Sequence, residues 1–198
     1  MMGSRYSMSF TTGGLLLPES IDLARNFLRL NEWQPAIAET ASGYVFSSGK
    51  PKSMQRVGRE IANRLATLSI AELQFLTETS SRSDQAALLW LAVCRTYRLV
   101  REFAIEVVSE RFNSFQRELL PERYESFVHD KSEWDDWLAA RSPSTIERSR
   151  QVLFKIMREA GVIDEQRQIC RLPLSPALRL LLERTPEDIA VLPGGLRG

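Results

Sequence analysis

The stretch Ser142–Asp164, "SPSTIERSRQVLFKIMREAGVID", decides how the second half of this 198-residue chain is read. It spells a capped helix, a glycine stop and the start of an extended segment. Two caps are open at its beginning. Either Ser142 caps with Pro143 as the first helical residue, or Ser144 caps with Glu147 closing a capping box. Gly161 fits the C′ position, where a left-handed residue ends a helix. Stepping about 100° per residue, Ile146, Leu153, Ile156, Met157 and Ala160 form an apolar stripe. Ser144, Arg148, Gln151, Lys155 and Arg158 form the opposite stripe. This outer face carries hydrogen-bond donors and no acid, with Glu147 and Glu159 at its flanks.

The neighbours on both sides extend the pattern. "EWDDWLAA" (133–140) reads as a short helix capped by Ser132, and "RSPS" (141–144) as a tight turn. After Gly161, Val162–Ile163–Asp164, the polar "EQRQ" and Ile169–Cys170–Arg171–Leu172 read as a short β-hairpin. Helix, turn, helix, hairpin is the order of a winged helix-turn-helix, whose second helix enters the major groove of duplex DNA. In that arrangement Arg148 meets guanine or a phosphate and Gln151 suits adenine. Ser144 and Thr145 near the helix start and Lys155 further along meet phosphate. Arg167 sits at the hairpin tip, where a wing meets the backbone or the minor groove. The competing reading is a solvated helix face whose last-turn cations complement the dipole.

The remainder reads as helical. Residues 1–13 are polar and expected to be flexible, and Pro18 suits the first turn of a helix. "TASGYVFSSGKPK" (40–52) reads as a loop. Ser53 caps a helix to about Leu68, and "SIAE" (69–72) is a capping box opening the next. The longest helical stretch runs from Ser83 to about Phe112, with the apolar run Leu88–Val93 as the expected core. Another helix starts at Pro121. The expected fold is mainly α: a helical N-terminal bundle over 14–130, a winged helix-turn-helix-like part with its hairpin over 131–192, and a tail over 193–198. Within "KPKSMQRVGREIANR" (50–64), Arg56 and Arg59 cluster away from the Val57/Ile61 stripe. If they face the same way as the Arg148 helix, the two segments form one phosphate-tracking strip. The alternative is a solvated face paired locally to Glu60.

Composition excludes more than it assigns. Net charge is +1, yet four lysines stand against twenty-two arginines, the cation suited to phosphate, guanine and interfaces. No apolar run is long enough for a membrane span, and Gly14–Leu17 stops at Pro18, short of a signal-peptide core, so the expected compartment is the cytoplasm. Cys94 and Cys170 form no disulfide framework. The single histidine, His129, has no nucleophile at recognisable spacing, and no phosphate loop or HExxH occurs. No catalytic residue, metal or cofactor is expected. The "TTGG" turn (11–14) reads as a flexible entry.

Four stretches in order, "SFTTGGLLLPESIDLA" (9–24), "SMQRVGREIANRLATL" (53–68), "LLWLAVCRTYRLVREF" (88–103) and "STIERSRQVLFKIMREAGVI" (144–163), resemble the BrxA family of bacterial BREX phage-defence systems. The resemblance implies a cytoplasmic, non-enzymatic helical component working beside a methyltransferase, an ATPase and a phosphatase-like protein. That family has also been likened to the RNA-binding antitermination factor NusB, which implies helix rather than strands over Val162–Leu172. A protein adaptor using Trp33, Tyr44, Trp134 and Trp137 is the other alternative.

Overall fold

The computed structural model describes residues 5–43, 51–183 and 185–195. Tyr44, Lys50 and most of the 40–52 loop lie outside them. The described helices are α1 (Leu17–Leu30), α2 (Trp33–Gly43), α3 (Pro51–Leu65), α4 (Ile70–Glu78), α5 (Arg82–Thr96), α6 (Arg98–Phe103), α7 (Glu110–Asn113), α8 (Glu122–Ser132), α9 (Asp136–Ala139), α10 (Pro143–Glu159), α11 (Pro176–Leu182) and α12 (Pro186–Ile189). A single 3-10 turn, Ser9–Thr11, precedes α1. Among the described residues there is no strand, only isolated bridges. None of these helices is long and apolar enough to cross a membrane.

Helix α5 is the centre. Every residue from Ala86 to Cys94 is buried, so this helix is apolar all round and needs cover on every side. Helices α1, α3, α4 and α10 all lie against it. It starts at Arg82 because Ser81 accepts the Asp84 N–H, and it ends at Tyr97, whose extended backbone separates α5 from α6. The expected unbroken helix to Phe112 is therefore interrupted at Tyr97, and Ala104–Ser109 widens into a π-helical turn between α6 and α7. No proline or glycine marks that widening. The N-terminal residues Tyr6, Met8 and Phe10 are buried in the same core. Phe10 meets Tyr97 edge-on at 5.5 Å between ring centres.

Local signals are realised unevenly. Ser69 and Glu72 form the capping box of α4 as read from sequence. Helix α3 begins at Pro51, ahead of Ser53, and finishes in a tightened turn through Leu68. Ser132 ends α8 and does not cap α9. Asp135 does, its Oδ1 accepting the Leu138 N–H at 2.9 Å, and α9 is a single turn. The C-terminal part closes the core from outside: the Trp90 indole N–H donates to the Val191 carbonyl at 2.9 Å, and Val191 and Leu192 are buried. Arg95 holds Asp188 of α12 and Glu72 of α4 at once.

Candidate nucleic-acid interface

Helix α10 resolves its two possible caps in favour of Ser142, whose hydroxyl accepts the Thr145 N–H with Pro143 as first helical residue. Its end is a Schellman motif: Gly161 has φ +75°, and the Val162 N–H reaches the Met157 carbonyl at 2.8 Å. Leu153, Ile156, Met157 and Ala160 are buried, and Ile146 is packed partly against the core. Inside the domain, the Tyr124 and Ser149 hydroxyls bond at 2.8 Å and fix the rotation of α10 against α8. The outer stripe therefore faces solvent: Ser144, Arg148, Gln151 and Lys155 are exposed, and Thr145 is half-buried.

That stripe is less free of acid than the helical wheel implies. Gln151 donates to Glu147 at 3.1 Å, and the Lys155 ammonium lies 3.7 Å from the Glu159 carboxylate. Arg158 reaches Glu165 at 4.0 Å. Arg148 has no ion pair among the described residues and stands at the middle of the stripe.

Glu159 has a second partner that sequence reading missed. Its Oε2 accepts the Leu15 N–H at 2.5 Å, joining the C-terminal turn of α10 to the "TTGG" entry. Gly14 permits this approach, because a side chain there would collide with the Glu159 carboxylate. The Gly14 carbonyl in turn accepts from the buried Arg64 of α3 at 2.7 Å, and Arg56 of α3 reaches the Thr12 hydroxyl at 3.3 Å. Arg64 also bonds Glu60 at 2.7 Å, and Glu60 accepts a hydrogen bond from the Tyr97 hydroxyl. Burial first, then that bond to Glu60, raises the Tyr97 phenol pKa, so Tyr97 stays a donor. Residues 12–15 thus form a strap with α3 on one side and α10 on the other. The signal available in sequence was the glycine pair itself, read there only as flexibility.

The strap answers how the two basic segments sit. Arg56 lies against Thr12 and Lys155 lies beside the carboxylate on Leu15, with three peptide steps, at most about 10 Å of chain, between the anchors. Arg59 is exposed one turn along from Arg56. Around α10, Glu159 stands about 40° to one side of Lys155 and Arg158 about 60° to the other. The strap and the 164–167 turn therefore flank the stripe on opposite sides.

The expected hairpin is reduced to one bridge, Ile163 to Ile169. Asp164 N–H meets the Gln168 carbonyl at 3.0 Å and Cys170 N–H the Val162 carbonyl at 2.9 Å. The ladder does not go on: its next donor, Leu172 N–H, goes to the Pro193 carbonyl, while Ile169 N–H faces the other edge and meets the Arg117 carbonyl. Leu119 N–H bonds the Arg167 carbonyl, so the turn is held from its other edge. Arg167 itself has φ +61° and an exposed side chain. The NusB-like expectation of helix here is not met either. His129 is exposed on α8, and no group of three or more candidate metal ligands comes together among the described residues.

The profile of the BrxA family matches residues 4–185. The chain belongs to the BrxA family. It is 26% identical over 186 residues to the BREX protein BrxA of Escherichia coli O9:H4 strain HS, an alignment covering 92% of this chain and 87% of that one. Among solved structures it superposes on a crystal structure of an uncharacterized protein from Magnetospirillum magneticum with a TM-score of 0.76. That pair shares 22% identity over 95% of this chain and 98% of the other, which establishes a shared helical fold. Membership of the BrxA family makes the chain a component of BREX defence. The anchors of the strap, Thr12, Gly14, Arg64 and Glu159, fall within the family match.

Proposed function

We propose that this chain is a non-enzymatic, DNA-binding accessory component of a BREX complex, working beside its methyltransferase, ATPase and phosphatase-like proteins. Duplex DNA lies along the α10 stripe, with α9, the 140–142 turn and α10 serving as a compact helix-turn-helix and the 164–167 turn as a reduced wing. The supporting observation is the convergence of Arg56 and Lys155 on the strap, which extends the α10 stripe toward α3. Phosphate contacts come from Ser144, Thr145, Lys155, Arg56, Arg59 and Arg167, while Arg148 and Gln151 face base edges.

The test is an anisotropy titration with labelled duplex at low and moderate salt. Affinity should fall steeply with salt, because each neutralised phosphate releases counterion. Arg148→Ala plus Lys155→Ala should weaken binding at least about tenfold and flatten the log–log salt slope by about 1, for the phosphate contact of Lys155. Unchanged affinity removes this face from consideration, and preference for structured RNA over duplex DNA favours the NusB-like alternative.

A gain-of-affinity variant complements this. Glu159→Gln keeps an acceptor for the Leu15 N–H but removes the charge beside Lys155. Duplex binding at low salt should tighten roughly two- to fivefold, with the gain lost at high salt. A fall in affinity would mean that Lys155 needs its carboxylate for placement.

A further inference from the structure

We propose that Asp164 is a positioning residue: with the 117–119 segment it holds Arg167 where the guanidinium meets one phosphate of a bound duplex. The inference rests on the nucleic-acid reading above and deepens it, from a turn that carries a cation to a turn built to aim one.

Glu165–Arg167 is a three-residue loop closed by Asp164 and Gln168. The Asp164 N–H donates to the Gln168 carbonyl at 3.0 Å, and the Arg167 N–H to the Asp164 carbonyl at 3.1 Å. In such loops the last residue is left-handed and usually glycine. Here it is arginine, at φ +61°. The Gln168 N–H goes to the Asp164 side chain, whose Oδ1 accepts it at 2.8 Å. One aspartate thus closes the loop through three hydrogen bonds. On the other edge the Arg167 carbonyl accepts the Leu119 N–H at 2.9 Å, and Leu119 is buried. The antiparallel bridges Glu118–Gln168 and Ile163–Ile169 place this segment between its two neighbours. Both backbone polar groups of Arg167 are therefore taken, from opposite sides.

The base of the turn is tied to α10 as well. The Val162 N–H bonds the Met157 carbonyl at 2.8 Å, and the Val162 carbonyl accepts from Cys170 at 2.9 Å. Arg158 of α10 draws the nearest acid of the loop, Glu165, to 4.0 Å. That leaves the Arg167 side chain exposed and without an ion pair among the described residues. A side chain in the left-handed region is strained where glycine would not be. For a merely solvated cation, glycine would be the better choice at this position. Strain held at an exposed cation that bonds nothing in its own chain points to a ligand contact. Beside the Arg148 stripe, the acceptor that suits a lone guanidinium is a phosphate oxygen. A backbone fixed beforehand also lowers the ordering cost of that contact.

The experiment uses the full chain and a labelled DNA duplex, read by anisotropy alongside thermal melts. Arg167→Gly should raise the melting temperature by roughly 1–4 °C, because the strain goes. It should nevertheless weaken binding about three- to tenfold and flatten the log–log salt slope by about 1. Asp164→Ala should weaken binding roughly threefold or more by releasing Arg167. The sign is diagnostic, since removing a carboxylate beside DNA would by charge alone tighten binding. Asp164→Asn keeps an Oδ1 acceptor for the Gln168 N–H and should bind at least as tightly as the unaltered chain. In the Arg167→Gly background, Asp164→Ala should no longer weaken binding. Asp164→Ala binding as tightly as the unaltered chain, or weakening binding equally with and without Arg167, overturns the positioning role. If Arg148→Ala plus Lys155→Ala lowers affinity and Arg167→Gly does not, the α10 face stands and this inference fails. A chain that binds no duplex at all overturns both.

Discussion

Arg95→Ala should lower the unfolding free energy by about 3–5 kcal/mol, the usual cost of removing one partner from a buried charge network. In a chain of this length that corresponds to a drop in melting temperature of roughly 6–20 °C. Arg95 is mostly buried and donates to Glu72 at 2.8 and 2.9 Å, to Asp188 at 2.8 and 3.0 Å, and to the Thr67 carbonyl at 3.0 Å. Its loss leaves Glu72 with only its cap bond to the Ser69 N–H, while Asp188 keeps Arg101 at 2.9 Å. The pH dependence separates this from a simple packing defect. Burial pushes the Glu72 and Asp188 carboxyls upward, but the hydrogen bonds from arginine outweigh it and both pKa values end lowered. Their stabilisation is complete above the unfolded carboxylate range near pH ~4 and is lost as pH falls through the lower folded values. In the variant, Glu72 keeps its burial and loses its cation, so its pKa rises and protonation relieves the strain. The penalty of Arg95→Ala should be largest near neutral pH and shrink on acidification, as read by urea unfolding at several pH values. A penalty that does not vary with pH would refute this account.

Trp90→Ala should be about as damaging, at 3–5 kcal/mol for the emptied volume. It also strands the Val191 carbonyl, which has the indole N–H as its partner at 2.9 Å. Trp90→Phe separates the two causes: it keeps most of the ring and loses only the donor, so it should cost about 1–3 kcal/mol. Chemical denaturation measures both. Near-equal costs for the two variants would place the whole effect in the hydrogen bond.

Features written in neighbouring residues were legible in the sequence. Ser69 with Glu72, and Ser142, Pro143 and Gly161, are caps whose partners lie within one turn, and the structure uses them. The α10 wheel also placed Arg148, Gln151 and Lys155 outward correctly. What escaped depends on distant partners. The electrostatics of the stripe turn on Glu159 reaching Leu15 across 144 residues. The expected hairpin comes down to one isolated bridge, with Leu172 N–H taken by the Pro193 carbonyl and residue 169 bonded on its other edge to residue 117. Ser132 was the nearer hydroxyl, yet Asp135 caps because α8 continues through Ser132. The π-helical turn at 104–109 leaves no trace in composition.

The seal over Trp90 also has a consequence for synthesis. Its partner carbonyl lies 101 residues downstream, and the Asp188 carboxylate that Arg95 holds lies 93 downstream. At about 5–20 residues per second, a ribosome spends roughly 5–20 s between making the indole and making its cover. Throughout that interval the nascent chain holds its most apolar helix without the segment that closes it. The core is therefore sealed only once residues 188–191 have been added.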